Sequence, residues 1–149
     1  MPRQIILASG SEIRATLLRN AGLSFSTQVA RIDEDMLRRG LTAEGALPRQ
    51  IADALAEAKS AKISRKNPGT LVIGSDQVLA FDGEIYAKPG DIDEARAHLT
   101  ALRGKTHHLL SAAVITIDDE PVWRHVGEVS LTMRDFSDGY RDDYLTRNW

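Results

Sequence analysis

The first feature of this chain is an absence, since none of its 149 residues is a cysteine. Disulfides, thiolate zinc sites and thiol nucleophiles are therefore excluded, and a reducing compartment is favoured. No apolar run approaches the length of a membrane span, and the run near the N-terminus is too short for the core of a signal peptide. From these absences we expect a cytoplasmic protein that binds no membrane.

The chain also lacks an excess of either charge, because 19 Lys and Arg residues face 21 Asp and Glu residues, for a net charge of -2. Binding nucleic acid through its phosphates needs a basic excess. An aromatic content of 5% also leaves few side chains for stacking on bases. We therefore expect no nucleic-acid partner, and any phosphate binding must be local. The 42% hydrophobic and 27% charged residues are typical of a globular protein with one domain or a tight pair of lobes.

Several catalytic signatures are missing as well. Neither GxSxG nor HExxH occurs, which disfavours a serine hydrolase and a zinc protease. The chain has neither a P-loop nor a GxGxxG turn. The four histidines show no metal-binding spacing, and the adjacent His107 and His108 fall in a predicted strand, where neighbours point to opposite faces.

What is present predicts an α/β fold. A buried-strand pattern at residues 4–8 passes directly into helical spacing at residues 11–22, whereas hairpin signals such as Asp82-Gly83 dominate later. This order predicts a mixed, twisted sheet with flanking helices. The other predicted strands are residues 25–30, 71–75, 77–86, 109–117 and 121–134, and the other predicted helices are residues 48–63, 91–104 and 137–145.

The turn LASGS, residues 7–11, joins the first strand to the first helix. A helix N-terminus after a buried strand offers free N–H groups and a positive dipole end, so this turn is a natural phosphate cradle. Ser9, Ser11 and Arg14 would add donors. The alternative is a tight turn with Ser11 as the N-cap, and these residues alone favour that simpler interpretation.

Three single charged residues and one acidic cluster invite a chemical role. Asp76 is predicted to follow the strand at 71–75 at its carboxyl end, where ligands bind in α/β sheets. The acidic residues 33–35 are most simply a charged loop, although two oxygen-rich sites brought together would suit Mg²⁺. Lys59 lies beside the apolar stripe of its helix, either snorkelling or reaching toward an anion. Lys88 is by default a surface lysine before a turn proline.

Five motifs, in their order and separations, resemble the Maf family of nucleoside triphosphate pyrophosphatases. Residues 94–115 also resemble that family, so the likeness covers essentially the whole chain. It implies two α/β lobes around a central cleft, an architecture shared with inosine triphosphatase. The chain would then be a single Maf-like domain, residues 1–149, without the C-terminal segment found in the family. The motifs are LASGSEIRATLL at 7–18, IDE at 32–34, AEAK at 56–59, GSDQV at 74–78 and DGEIYAKP at 82–89.

The resemblance implies a house-cleaning hydrolase acting on acid anhydrides, which converts a nucleoside triphosphate to the monophosphate and pyrophosphate with Mg²⁺ or Mn²⁺. By the same likeness, Asp76 is the catalytic acid, Glu34 its metal-binding companion, and Lys59 and Lys88 the cations that contact phosphate. A homodimer is common in the family. The residues that match its phosphate-binding turn are Ser9, Gly10, Ser11 and Arg14.

Two positions bear on the substrate. Ile13 stands where many family members carry arginine, and Gln77 follows Asp76 as in the branch that acts on 7-methyl-GTP. The resemblance therefore implies a 7-methyl-GTP pyrophosphatase. Two alternatives remain open: the dTTP and UTP branch of the same family, and a non-catalytic nucleotide-binding regulator of cell division.

Overall fold

The computed structural model describes residues 3–149, which form a mixed α/β fold. The sheet order is β2-β1-β3-β5-β6, and β4 pairs with β3. The expected mixed sheet with flanking helices is confirmed. The strands are β1 Ile5–Leu7, β2 Ser26–Thr27, β3 Leu71–Phe81, β4 Glu84–Tyr86, β5 Thr106–Ile117 and β6 Glu120–Thr132, and the helices are α1 Glu12–Asn20, α2 Glu34–Ala43, α3 Pro48–Lys66, α4 Ile92–Leu102 and α5 Asp138–Asn148.

The described chain divides into two compact units, in agreement with the two expected lobes. The first unit comprises the residues up to Gln77 together with Ser111–Gly127, and the second comprises Val78–Leu110 and Glu128–Trp149. Strands β3, β5 and β6 contribute residues to both units. Within residues 3–149, no helix has the length and apolar character needed to cross a membrane.

The first unit is built on a parallel arrangement in which β1 pairs with β2 on one side and with β3 on the other. Crossovers between parallel strands are right-handed in nearly all proteins. Because the chain moves first from β1 to β2 and then back past β1 to β3, α1 lies on one face of the sheet and α3 on the other. The point where the strand order reverses, between β1 and β3, is where α/β sheets bind ligands.

Helix α3 is held very close to the sheet at Gly74. A Cβ added to Gly74 would lie 2.8 Å from the Cβ and the backbone nitrogen of Ser60, and closer still to the carbonyl oxygen of Ala56. At this contact α3 presents only the small residues Ala56 and Ser60, and its larger buried side chains, Ile51, Leu55 and Ile63, lie elsewhere on the helix. This contact fixes the distance between α3 and β3.

The structure corrects the predicted end of the strand before Asp76. The strands predicted at residues 71–75 and 77–86 are continuous through Asp76 as far as Phe81, so Asp76 lies inside the 11-residue strand β3. Burial alternates regularly along the strand, and Gly74 and Asp76 both point to the α3 face. The Asp82-Gly83 turn is confirmed, with φ of 51° and 78°.

Two further predictions differ from the structure. The strand expected at residues 25–30 is reduced to Ser26–Thr27. The acidic residues 33–35, interpreted as a loop, instead begin α2, because the Asp33 side chain caps the helix by accepting a hydrogen bond from the Met36 N–H at 3.0 Å. The predicted helices after Ser11, Pro48, Asp91 and Ser137 are confirmed.

The Gly74 contact makes a testable prediction. Gly74→Ala should lower the free energy of unfolding by about 1–3 kcal/mol, because the added methyl overpacks the contact with α3. The measurement is chemical denaturation followed by circular dichroism.

Gly40→Ala is the matched control, since a Cβ there meets nothing within 4 Å on an ordinary helical backbone. That variant should gain about 0.5–1 kcal/mol. Equal effects of the two substitutions would contradict the assigned role of Gly74.

Candidate active site

The LASGS turn is organised by its two serines. Ser11 caps α1, its Oγ accepting a hydrogen bond from the Arg14 backbone N–H at 3.3 Å. The Ser9 Oγ accepts one from the Ser11 N–H at 3.1 Å, and Ser9 is buried. A Cβ on Gly10 would lie 3.2 Å from Val29 Cγ2. The N-cap interpretation is thus confirmed, and the N–H groups of the first turn still face outward with the positive end of the helix dipole.

Lys59 stands at the centre of the charged groups. Its Nζ lies 2.5 Å from Glu34 Oε1 and 3.0 Å from Asp76 Oδ1. The Lys59 and Asp76 side chains are only 11% and 10% exposed, whereas that of Glu34 is 41% exposed. The snorkelling interpretation is therefore wrong, because the ammonium turns inward to a buried carboxylate. The structure thus brings Glu34, Lys59 and Asp76 together.

Each member of this triad comes from a different element. Lys59 is on α3, on the face that meets the sheet, and Asp76 is on the β3 face that meets α3. Glu34 is the first residue of α2, and the carbonyl of the preceding Arg31 accepts a hydrogen bond from Lys62 of α3. The start of α2 is thereby tied to α3 beside Lys59.

Asp76 is in an unfavourable place for a charge. Burial raises the pKa of its carboxyl group and the nearby Glu34 carboxylate raises it too, whereas Lys59 and Arg14 act in the opposite direction. A carboxyl whose pKa is raised in the folded state lowers the stability as the pH rises above its ordinary pKa. Asp76 also has a second oxygen, Oδ2, that is buried without a hydrogen-bond partner. Asp76 therefore weakens the fold, which is typical of a residue kept for function.

The backbone carbonyl of Ser75 joins the turn to the triad. It accepts a hydrogen bond from Arg14 Nη1 at 3.3 Å and one from Lys59 Nζ at 3.4 Å. Arg14 belongs to α1 and Lys59 to α3, so cations from helices on opposite faces of the sheet meet at one oxygen. Sequence reasoning missed Ser75, and only its position before Asp76 in the GSDQV motif could have indicated it.

The two residues implied in substrate choice, Ile13 and Gln77, lie on different elements, α1 and β3. Gln77 is exposed and follows Asp76 directly, so its side chain points away from α3. Its Nε2 donates a hydrogen bond to Ser111 Oγ of β5 at 2.9 Å. Ile13, in the first turn of α1, is 76% exposed. Neither Ile13 nor Gln77 contributes to the core.

Lys88 belongs to the second unit, whereas Arg14, Glu34, Lys59 and Asp76 belong to the first. It is exposed and follows β4 directly before the turn proline. The phosphate-contacting role implied for Lys88 stays a prediction.

The carboxylates of Glu34 and Asp76 have the chemistry needed to hold a divalent cation whose other ligands come from the substrate. Across residues 3–149, no group of three or more His, Asp or Glu side chains could hold a metal ion. Glu34 and Asp76 nevertheless reach one cationic atom, and Asp76 keeps an unused oxygen. Mg²⁺ is commonly held by one or two carboxylates, with phosphate oxygens and waters completing its shell. These two carboxylates would suit such a shared site.

Fold and site together define a doubly wound α/β protein with an acidic and cationic centre at its strand-order reversal. The family model described as Maf-like protein matches residues 4–149. The chain belongs to the Maf-like protein family.

Individual relatives agree with this assignment. The chain is 56% identical over 149 residues to the Nucleoside triphosphate pyrophosphatase of Ruegeria sp. (strain TM1040), covering 100% of this chain and 75% of that protein. The corresponding protein of Roseobacter denitrificans is also 56% identical, with coverage of 100% and 75%. The 7-methyl-GTP pyrophosphatase of Brucella abortus biovar 1 is 46% identical over 147 residues, with coverage of 99% and 74%.

The buried ion pair makes a stability prediction. Lys59→Met should lower the free energy of unfolding by about 3 kcal/mol, because it leaves the Asp76 carboxylate buried without its counter-charge. Adding Asp76→Asn to that variant should restore most of the loss. The measurement is a double-mutant cycle by chemical denaturation.

Lys66→Met is the matched control, because Lys66 is an exposed lysine on the same helix. It should change the free energy of unfolding by less than about 0.5 kcal/mol. Additive effects of the Lys59 and Asp76 substitutions would argue against a coupled pair.

Proposed function

We propose that this protein hydrolyses a nucleoside triphosphate to the monophosphate and pyrophosphate with the help of a divalent cation. The observation that carries the proposal is the Glu34, Lys59 and Asp76 triad at the strand-order reversal, next to the first turn of α1. The two pyrophosphatase relatives at 56% identity support it. In this function the protein is a hydrolase acting on acid anhydrides.

The reaction adds water at the α-phosphorus and breaks the bond to the β-phosphate oxygen, so both outer phosphates leave together. Glu34 and Asp76 would hold the cation, which when bound neutralises phosphate charge and acidifies water. Asp76 Oδ2 is the free oxygen that can accept a proton from the attacking water. Lys59 and Arg14 would bind the phosphate oxygens and stabilise the departing pyrophosphate. The first turn of α1 adds backbone N–H donors to the same anion.

The finer proposal is that 7-methyl-GTP is the substrate. Gln77 offers both a donor and an acceptor to a base edge, and the apolar Ile13 leaves the turn less cationic. The Brucella abortus relative named for that substrate supports this choice. A UTP or dTTP pyrophosphatase is the alternative within the family. A regulator that only binds nucleotide is the other alternative, but simple binding has no need of the costly buried Asp76.

A substrate panel tests the activity. With Mg²⁺ or Mn²⁺ present, the protein should release pyrophosphate from 7-methyl-GTP faster than from GTP, UTP or dTTP, and chelation with EDTA should abolish release. Asp76→Asn should lower kcat by at least about a hundredfold, while its melting temperature stays near that of the unmodified protein because Asn keeps the acceptor for Lys59.

The outcomes of this panel separate the hypotheses. A folded protein that turns over none of the four nucleotides would refute the enzymatic proposal. If calorimetry then shows nucleotide binding, the regulator becomes the better hypothesis. Unfolding of Asp76→Asn would instead make Asp76 a structural residue.

A second experiment tests substrate choice. The double substitution Ile13→Arg with Gln77→Thr should raise kcat/KM for UTP and dTTP relative to 7-methyl-GTP by about tenfold, because it introduces a cation and removes the amide. Both side chains are exposed, so stability should be retained.

Leu17→Arg is the control for added charge, since Leu17 is 63% exposed one turn further along α1. It should leave the ratio of kcat/KM values unchanged. A shift of equal size in this control would assign the effect to net charge rather than to position 13.

A further inference from the structure

A pair of buried hydroxyl groups, one from Ser60 of α3 and one from Thr116 of β5, lies next to Lys59. Ser60 Oγ is 2.7 Å from Thr116 Oγ1 of β5, and both residues are fully buried. Ser60 Oγ also donates to the Glu57 carbonyl at 3.1 Å. Since the Ser60 proton is used there, the Thr116 hydroxyl is the donor in the short contact.

The hydroxyl pair fixes the position of α3 relative to β5, whereas the Gly74 contact fixes it relative to β3. Gly74 sets the approach of α3 to β3, through Ala56 and Ser60. The Thr116 hydroxyl connects the same Ser60 to the neighbouring strand β5. Ser60 is therefore held from two strands at once, and Lys59 is the residue next to it in the chain.

The contact is short because it is a hydrogen bond. Two oxygens joined by a proton approach to about 2.7 Å, whereas nonbonded heavy atoms settle at about 3.5 Å or more. Replacing the Thr116 hydroxyl with a methyl group would therefore push α3 away from β5 by a large fraction of an ångström. Misplacement of a catalytic group by about 1 Å can cost on the order of a hundredfold in rate.

We propose that Ser60 and Thr116 are positioning residues whose hydrogen bond sets α3 at the height that places the Lys59 ammonium between Glu34 and Asp76. The role of this pair in turnover rests on the proposed function. Its role in placing Lys59 can be tested without turnover, because the Lys59–Asp76 ion pair has its own energetic signature.

The test compares Thr116→Val, which has the same shape but no hydroxyl, with Thr116→Ser, which keeps the donor. Thr116→Val should lower kcat about tenfold with less than a twofold change in KM, and Thr116→Ser should restore most of the rate. In the Thr116→Val background, the coupling between Lys59 and Asp76 in the double-mutant cycle should fall by at least half.

Ser64→Ala is the matched control. Ser64 is a buried serine one turn further along α3, and its Oγ accepts a hydrogen bond from the Asp119 N–H at 2.9 Å. Its removal should cost stability while leaving both kcat and the Lys59–Asp76 coupling unchanged. All assays are run well below the lowest melting temperature of the set.

The result that would overturn the proposal is a Thr116→Val variant that behaves like Ser64→Ala, with lower stability but normal kcat and full coupling. If Thr116→Val does not fold, Ser60→Ala replaces it, with the same expected loss of coupling. If the unmodified protein hydrolyses no nucleotide, the proposed function fails, and the coupling measurement alone decides the role of the hydroxyl pair.

Discussion

The site depends on one buried ammonium group. Lys59 could not be placed on the sheet-facing side of α3 without a counter-charge, and it has two, in Glu34 and Asp76. One positive and two negative charges leave the group with a net charge of -1, and one Asp76 oxygen still has no partner. The three charges therefore do not balance, and one carboxylate oxygen lacks a hydrogen-bond donor. In the proposed function, the divalent cation would offset this negative charge, and a substrate phosphate would give Lys59 an alternative partner.

The close packing of α3 is what makes this arrangement possible. Gly74 lets the helix lie against β3, and the small side chains of Ala56 and Ser60 accept that contact. A bulkier residue at position 74 would push α3 away from β3 and so lengthen the distance from Lys59 to Asp76, which is 3.0 Å between Nζ and Oδ1 here. The small residues of α3 and β3 therefore help to position the Lys59–Asp76 ion pair as well as to pack the core.

Much of the fold follows from local signals in the sequence. The helices that begin at Ser11, Asp91 and Ser137 and the turn at Asp82-Gly83 are predictable because each depends on one residue and its sequence neighbours. The continuity of β3 through Asp76 was not predictable, because a charged residue after a buried run resembles the end of a strand until its partner Lys59 on α3 is known. The sequence does not distinguish Asp33 as a helix cap from Asp33 as a solvated loop residue, because the two differ only in the helix that follows.

The site was predictable residue by residue but not as an assembly. The resemblance pointed to Glu34, Lys59 and Asp76 separately, yet nothing in their spacing shows that one ammonium joins the two carboxylates. Ser75 was invisible because it acts through its backbone, and the Ser60–Thr116 contact because the two residues are far apart in sequence.

The Ser75 carbonyl has a consequence for how this site can vary. Arg14 and Lys59 meet on an atom that every amino acid possesses, so no change of side chain at position 75 can delete the meeting point. The position of this acceptor depends on the backbone conformation of β3 and not on the identity of the side chain at position 75. The residue at position 75 can therefore change during evolution while Arg14 and Lys59 still bind the same backbone carbonyl. Only a change in the backbone path of β3 would remove this shared acceptor.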